Sequence, residues 1–328
     1  LFDLAIQVLS SPRFEEQEHE KLRRETLYDL DELRDDDASL AHRFFAKYSH
    51  PGHPYCRTGL GTADSLAGIE IDQVRRLYPS LVHSDDLLLG IAGPLSEDQA
   101  HALASRIPPS KEGSRLPAPD LTAPLAPTGR RLIIVDKPDR HQCQVVLGHL
   151  MPRYGTSDFD RLRVAETALG GMFTSRLLLE IRVKECWSYG ASCAMYRAKG
   201  QHYMQVSLAP NAENCPAALA RTLELFEELA TDGLHQEEFD FTCSYLSGSD
   251  AFTKATARQR LFRRVQEEIY ELPKGFGDNF TSRLEELTCA AVNETLARAL
   301  HPKDLCVVVV ASADAMHSKL AALGLSLI

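Results

Sequence analysis

Ala168-Leu-Gly-Gly-Met-Phe-Thr-Ser-Arg-Leu177, followed by Glu180-Ile-Arg-Val-Lys-Glu-Cys-Trp-Ser-Tyr-Gly190, is the most informative stretch of the 328-residue chain. Helical periodicity from Phe159 to Leu169 runs into a glycine pair, and a second helix continues to about Glu185. The pattern then changes to that of strands at Gly190–Tyr196 and Tyr203–Leu208. Working outward, Arg131–Lys137 and Gln144–Leu150 also read as strands, and Ala217–Ala230, Gln236–Leu246 and Lys254–Glu271 as long helices. Asp304–Val310 is a buried-type strand with a helix beginning near Ala313.

Upstream, Glu15–Tyr48 is helical with an acidic corner at Asp35–Asp37, and Ile71–Tyr78 is a short amphipathic helix. Asp86–Ala92 reads as a buried strand, and Ser96 caps another helix. The stretch from Ile107 to Arg130 holds Pro108, Pro109, Pro117, Pro119, Pro124 and Pro127, so 108–130 is expected to be an extended linker between a first domain, 1–107, and a second, 131–328. The order helix, Asp86–Ala92, capped helix is echoed by Glu294–Arg298, Asp304–Val310 and the helix after it, as if one α/β unit were used twice. The second unit begins near Arg131; the same spacing applied to the first puts its start before Leu1, so the first domain is expected to be N-terminally incomplete. Such a domain would leave a sheet edge and an apolar face uncovered.

Bulk properties narrow the function. A net charge of −10 argues against duplex nucleic acid, whose binding requires clustered cations to neutralise phosphates. No apolar run approaches the roughly 18 residues of a membrane span, and the chain reads as soluble. The eight cysteines lie far apart with no CxxC pair, which suits buried small hydrophobes better than a disulfide or zinc framework.

Further segments match a family pattern. Ser11-Pro-Arg-Phe14, a charged helix Glu18–Leu33, Arg34-Asp-Asp-Asp37, His50-Pro-Gly-His-Pro-Tyr55 and Gly59-Leu-Gly-Thr62 resemble, in order and spacing, the second half of an insulinase-family domain. The stretch 168–190 resembles the C-terminal signature of the same pitrilysin/insulinase-type zinc peptidases. The resemblance implies an α+β fold of two homologous insulinase-type domains, each an antiparallel-rich sheet with helices on one face. In that family zinc is held by a His-x-x-Glu-His helix, because residues four apart share one helical face and bring both imidazoles to one ion. No two histidines here lie four apart, so Zn2+ is expected on a partner or on a segment before Leu1, and no metal ligand is assigned to this chain.

The family's third ligand, counted back from His53, falls on Asp29, where the family has Glu; Leu22 stands where it has a second Glu. Asp is a methylene shorter and would fall about 1 Å short of bonds of roughly 2.0–2.2 Å. The plain alternative is a solvated acid on an exposed helix. His50 and His53 look like a two-ligand site but lack a third ligand nearby. By the same resemblance, Tyr189 donates its hydroxyl to a developing oxyanion and Arg182 anchors a neighbouring carbonyl, while Gly170, Gly171 and Met172 form a turn beside the substrate. A helix C-cap is the competing reading of the glycines.

The implied function is that of an Arg/Tyr subunit: a component of a zinc-dependent endopeptidase acting on short peptides. It would pair with a zinc-bearing homologous subunit as a heterodimer, or less favourably as a homodimer, in either a bacterial cytoplasm or a periplasm. The alternative is a catalytically silent scaffold within a larger complex.

Overall fold

The computed structural model describes residues 2–109, 115–122 and 128–328. In chain order the first elements are α1 (Phe2–Ser10), α2 (Glu16–Glu32), α3 (Asp37–Ser49), α4 (Ala63–Ala67), α5 (Ile71–Leu81) and α6 (Glu97–Ala104). Then come β1 (Arg131–Asp136), β2 (Gln144–Met151), α7 (Ser157–Glu166), β3 (Ser188–Met195), β4 (His202–Pro210), α8 (Cys215–Asp232) and α9 (Gln236–Phe252). The chain ends with α10 (Ala257–Ile269), α11 (Phe280–Glu285), α12 (Cys289–Ala299), β5 (Cys306–Ala311), α13 (Ala313–Ala321) and β6 (Ser326–Leu327). Two compact units result, one of Leu1–Arg34, Gly59–Asp120 and Thr253–Gln266, the other of Asp35–Thr58, Leu121–Phe252 and Glu267–Ile328. Of the proline-rich stretch 108–130, residues 110–114 and 123–127, with Pro124 and Pro127, lie outside the described residues; the rest forms no helix or strand.

The second unit is a mixed α/β layer structure, as the sequence implies. Its sheet runs β3-β4-β2-β5-β1-β6, antiparallel from β3 through β5 and parallel where β1 meets β5 and β6. β5 reads Cys-Val-Val-Val-Val-Ala and is buried at every position. A strand alternates faces, so Val307, Val309 and Ala311 enter the main core with Val145, Leu147, Leu219 and Phe226, while Cys306, Val308 and Val310 face the other way. There the helices-on-one-face expectation is extended: α3 covers the second face, its Ala41 and Phe45 packed on Ile133, Val146, Val308 and Val310. The acidic corner starts this helix, since Asp36 accepts the Ser39 backbone N–H at 3.0 Å and caps its first turn. Burying a Phe there stabilises by about 2–3 kcal/mol.

The first unit is built differently. Among the described residues it holds none of the fully buried hydrophobic side chains. The Arg75 guanidinium donates to the Phe14 carbonyl at 2.7 Å, the Tyr78 hydroxyl to the Leu9 carbonyl at 2.9 Å, and the rings of Phe14 and Tyr78 meet edge to face. An apolar groove of about 450 Å³ runs between Phe14, Leu22, Leu66, Ile69, Ile71 and Val74. The buried strand expected at Asp86–Ala92 is not formed: no strand pairs with it, and Leu87, Leu88 and Leu89 are exposed. An apolar run becomes a strand only beside another backbone that takes its N–H and C=O groups, and no described segment offers one. Gly90 instead packs on Leu261 and Val265 of α10, where a Cβ would come within 3.1 Å of both side chains.

All eight cysteines are free. His149, 6% exposed on β2, donates from Nδ1 to the Leu150 carbonyl (2.7 Å) and accepts the His301 backbone N–H at Nε2 (3.2 Å), a neutral tautomer set by its partners. Burial pushes its pKa down to about 4. A depressed imidazole pKa gives stability that is full above the unfolded value near 6.5 and is lost as pH falls toward 4. In urea titrations at pH 7 and 4.5, His149→Gln is therefore expected to lose about 2–3 kcal/mol less than the wild type between the two pH values, at about 1.4 kcal/mol per pKa unit. Equal losses would show that His149 is not an acid-labile element.

Candidate functional site

The stretch 166–195 forms one continuous structural path. α7 is capped by Thr156, whose Oγ1 accepts the Phe159 N–H, and it runs into a wider π-helical turn at Thr167–Gly171. After the turn a helix starts at Arg176 and its body, Leu178–Lys184, is again π-helical. Wide turns of this kind cost helix regularity and concentrate at functional segments. The start of the helix is fixed by Arg176, whose guanidinium makes a two-bond fork to Glu238 of α9 (2.6 and 2.8 Å) and a third bond to the Gly233 carbonyl.

Gly170 is needed for close approach. A Cβ there would lie 2.3 Å from the Cys193 backbone nitrogen of β3 and 2.9 Å from Leu177, so the turn is wedged directly against the strand. Neither Gly170 nor Gly171 has a positive φ, so the left-handed C-cap reading does not apply. Gly171 is exposed, whereas Gly170 and Met172 are buried and shape the turn from beneath.

Arg182 and Tyr189 come together. Between them Cys186 takes φ +54°, a left-handed conformation uncommon for a non-glycine residue, and reverses the chain. The Trp187 N–H then bonds back to the Ile181 carbonyl at 3.0 Å. At the start of β3 the register against β4 shifts between Ser188 and Ala191, a bulge in which the Ser188 hydroxyl donates to the Gly190 carbonyl and accepts the Ala209 N–H. Bulges re-aim side chains; here Tyr189 turns fully outward, 84% exposed, with the Arg182 guanidinium carbon 4.7 Å from its ring centroid. Because β3 is the outermost strand, this pair sits on an edge of the sheet. Phe173 (82% exposed), Leu179 and Val183 add exposed apolar surface to the same segment.

Glu166 was missed by the sequence reading although its spacing was visible. With Phe159, Leu162 and Leu169 it occupies the i, i+3, i+7, i+10 stripe that faces the core, and it is only 5% exposed. Its Oε2 accepts the Thr167 hydroxyl at 3.3 Å, and its Oε1 lies 3.3 Å from where a Cβ on Gly171 would be. Burial raises its pKa to about 7, against the pull of Arg163 and Thr167.

A zinc ion does not fit the residues described. Among them no three His, Cys, Asp or Glu side chains converge. Asp29 is exposed on α2, and Leu22, 63% exposed, lines the groove of the first unit. His50 and His53 stand 5.6 Å apart between ring centroids, but His53 accepts the Tyr55 backbone N–H at Nδ1, which assigns its proton to Nε2 and turns that nitrogen into a donor.

The family profile described as the peptidase M16 inactive domain matches residues 68–246, which include the whole path from Glu166 to Tyr189. The chain is 22% identical over 308 residues to the Non-peptidase homolog YmxG of Helicobacter pylori, covering 93% of this chain and 70% of that protein. It is 27% identical over 271 residues to an uncharacterized zinc protease of Mycobacterium bovis, covering 80% of this chain and 60% of the relative. It thus spans 60–70% of the length of these curated relatives. In fold it is similar to the crystal structure of a peptidase M16 inactive domain from Pseudomonas fluorescens, with a TM-score of 0.85 at 21% identity over 94% of this chain and 74% of that one. The crystal structure of a protease from Helicobacter pylori gives 0.83 at 16% identity, over 94% and 76%.

Crowding at Gly170 and exposure at Tyr189 set a contrast that chemical denaturation can read. Gly170→Ala is expected to destabilise by about 3 kcal/mol, because backbone of β3 must move, whereas Arg182→Ala and Tyr189→Phe should stay within about 0.5 kcal/mol of wild type. A Tyr189→Phe variant as damaged as Gly170→Ala would place the phenol in the packing rather than at a surface.

Proposed function

The chain belongs to the M16 peptidase family, and from that membership we propose that it is the peptide-gripping component of a metallopeptidase, the metal and its water residing on another polypeptide region. The observation that carries this reading is the Arg182–Tyr189 pair, stacked and solvent-facing on a sheet edge. An extended peptide laid beside β3 would exchange backbone hydrogen bonds with it, a mode that reads extension more than sequence. Arg182 would donate to one peptide carbonyl. Tyr189 would donate its hydroxyl to the neighbouring carbonyl as negative charge develops there, a contribution of about 3–4 kcal/mol for a well-aimed donor in a water-excluded site. The exposed side chains of Phe173, Leu179 and Val183 give the peptide an apolar surface to cover.

A second reading, a catalytically silent scaffold, is favoured by a specific finding: the matched domain is described as inactive and one relative as a non-peptidase homolog. A scaffold has no requirement for an outward phenol beside a guanidinium, and the two readings differ in what Tyr189 does. Binding of a rhodamine-labelled, unstructured dodecapeptide to the chain is to be followed by anisotropy, and cleavage after mixing with a zinc-bearing M16 homologue. The grip predicts that Arg182→Ala weakens binding about tenfold, the loss of one charge-assisted hydrogen bond. It predicts that Tyr189→Phe leaves binding nearly unchanged while lowering the cleavage rate of the mixture by about 10²–10³. Cleavage by the mixture that is indifferent to Tyr189→Phe would remove the residue from the chemistry, and absence of peptide binding by the wild type would leave the scaffold.

A further inference from the structure

We propose that Glu166 is a proton-linked positioning residue, its carboxyl holding the Gly170–Gly171–Met172 turn against β3 in the neutral form and loosening it when ionised. The inference rests on the peptide-grip reading only for its consequence, since the contact itself is in the fold. Glu166 ends α7, is nearly sealed from solvent, accepts the Thr167 hydroxyl at Oε2, and places Oε1 3.3 Å from where a Cβ on Gly171 would stand. One residue of the turn thus bonds the carboxyl group, and the carboxyl fills the space beside another that has no side chain. Gly170 in turn lies on the backbone of Cys193, four residues along β3 from Tyr189, so a displaced turn displaces the strand that carries the phenol.

The surroundings supply little compensation for a charge. Arg163 on α7 approaches Oε2 no closer than 4.0 Å, and Arg197, just beyond β3, acts from further away. From β3 the neighbour is Cys193, a buried thiol pushed up chiefly by its own burial and further by Glu166. α9 also packs on the turn, but its Glu238 is held by Arg176. A carboxylate formed here has one hydroxyl donor, one guanidinium at the edge of ion-pair range and a second further away, so hydration is its best route to full solvation, and hydration requires the turn to open. Burial raises the Glu166 pKa from 4.5 to about 7, which puts the change in the neutral range. The sign follows: with the closed-state value above the open-state value, the closed turn is favoured fully below about 4.5 and is lost as pH rises through 7.

Hydrogen–deuterium exchange of backbone amides in 167–175, measured on the full chain from pH 5.5 to 8.5 and corrected for intrinsic rates, reads the opening directly. Opening coupled to a carboxyl of this kind is expected to increase at least about tenfold across that range in the wild type. Glu166→Gln, which keeps shape and neutrality, should hold the low-pH protection at every pH, and Thr167→Val, which removes the hydroxyl donor, should move the midpoint upward. Affinity for the rhodamine-labelled dodecapeptide should fall over the same range in the wild type and stay flat in Glu166→Gln. A flat wild-type exchange profile, a Glu166→Gln profile that still follows pH, or a peptide affinity whose pH dependence survives Glu166→Gln would each overturn the proposal. If Arg182→Ala and Tyr189→Phe leave peptide binding and cleavage untouched, the grip reading falls by itself, and the exchange profile still decides whether Glu166 holds the turn.

Discussion

Cys306–Ala311 has six consecutive side chains out of water, and a strand can hold that arrangement only where both faces of its sheet are covered. One cover is the helical layer around Phe226 and Leu219; the other is α3, with Ala41 and Phe45. Removing either would expose two valines and a smaller side chain, Ala311 on one face or Cys306 on the other, at about 25 cal/mol per Å². The capping of α3 by Asp36 and the pairing of Asp37 with Arg140 at 2.9 Å thus support the sheet as much as the helix. The rest of the second unit is arranged outward from that rigid centre, with β3 at the far edge where pairing ends.

A rigid centre and an exposed edge divide the labour along one path. Gly170 against Cys193 and the Arg176 fork to Glu238 fix where the turn and the following helix stand. The bulge at Ser188 then turns Tyr189 to solvent without disturbing the inward side chains Ala191, Cys193 and Met195, which resume the alternation of the strand. An outward phenol on a buried framework is well defined in position yet contributes little to folding, which is the condition for a surface group to be kept for binding.

Much of this was legible in the sequence because it depends on local pattern. The strands at Arg131–Asp136, Gln144–Met151 and Cys306–Ala311 follow from apolar runs of strand length, and the pairing of Arg182 with Tyr189 was implied by the family-like spacing of the signature. What was not legible depends on partners or on backbone detail. Asp86–Ala92 has the same apolar character as β5 but no strand partner among the described residues, and composition does not report whether a partner stands beside a run. The π-helical turns change hydrogen-bond register without changing residue type, the left-handed Cys186 is not a glycine, and the second cover of the sheet comes from a helix about 250 residues away in sequence from β5, a separation that local periodicity does not encode. Glu166 was readable as a charge on an apolar stripe; its depth was not.

The stacking of Arg182 on Tyr189 bears on whether the pair can act. An exposed cation–π contact is worth about 0.5–1 kcal/mol, close to thermal energy and smaller than a charge-assisted hydrogen bond to a peptide carbonyl. The stack uses the ring face and leaves the phenolic hydroxyl at the far end of the side chain, so it holds the two groups near each other without occupying the donor. On the peptide-grip reading, a peptide engaging the guanidinium would need to displace only that weak contact. The pair is thus held in position at little energetic cost, and on the same reading its selectivity would come from the strand edge and the turn beneath it rather than from the two side chains alone.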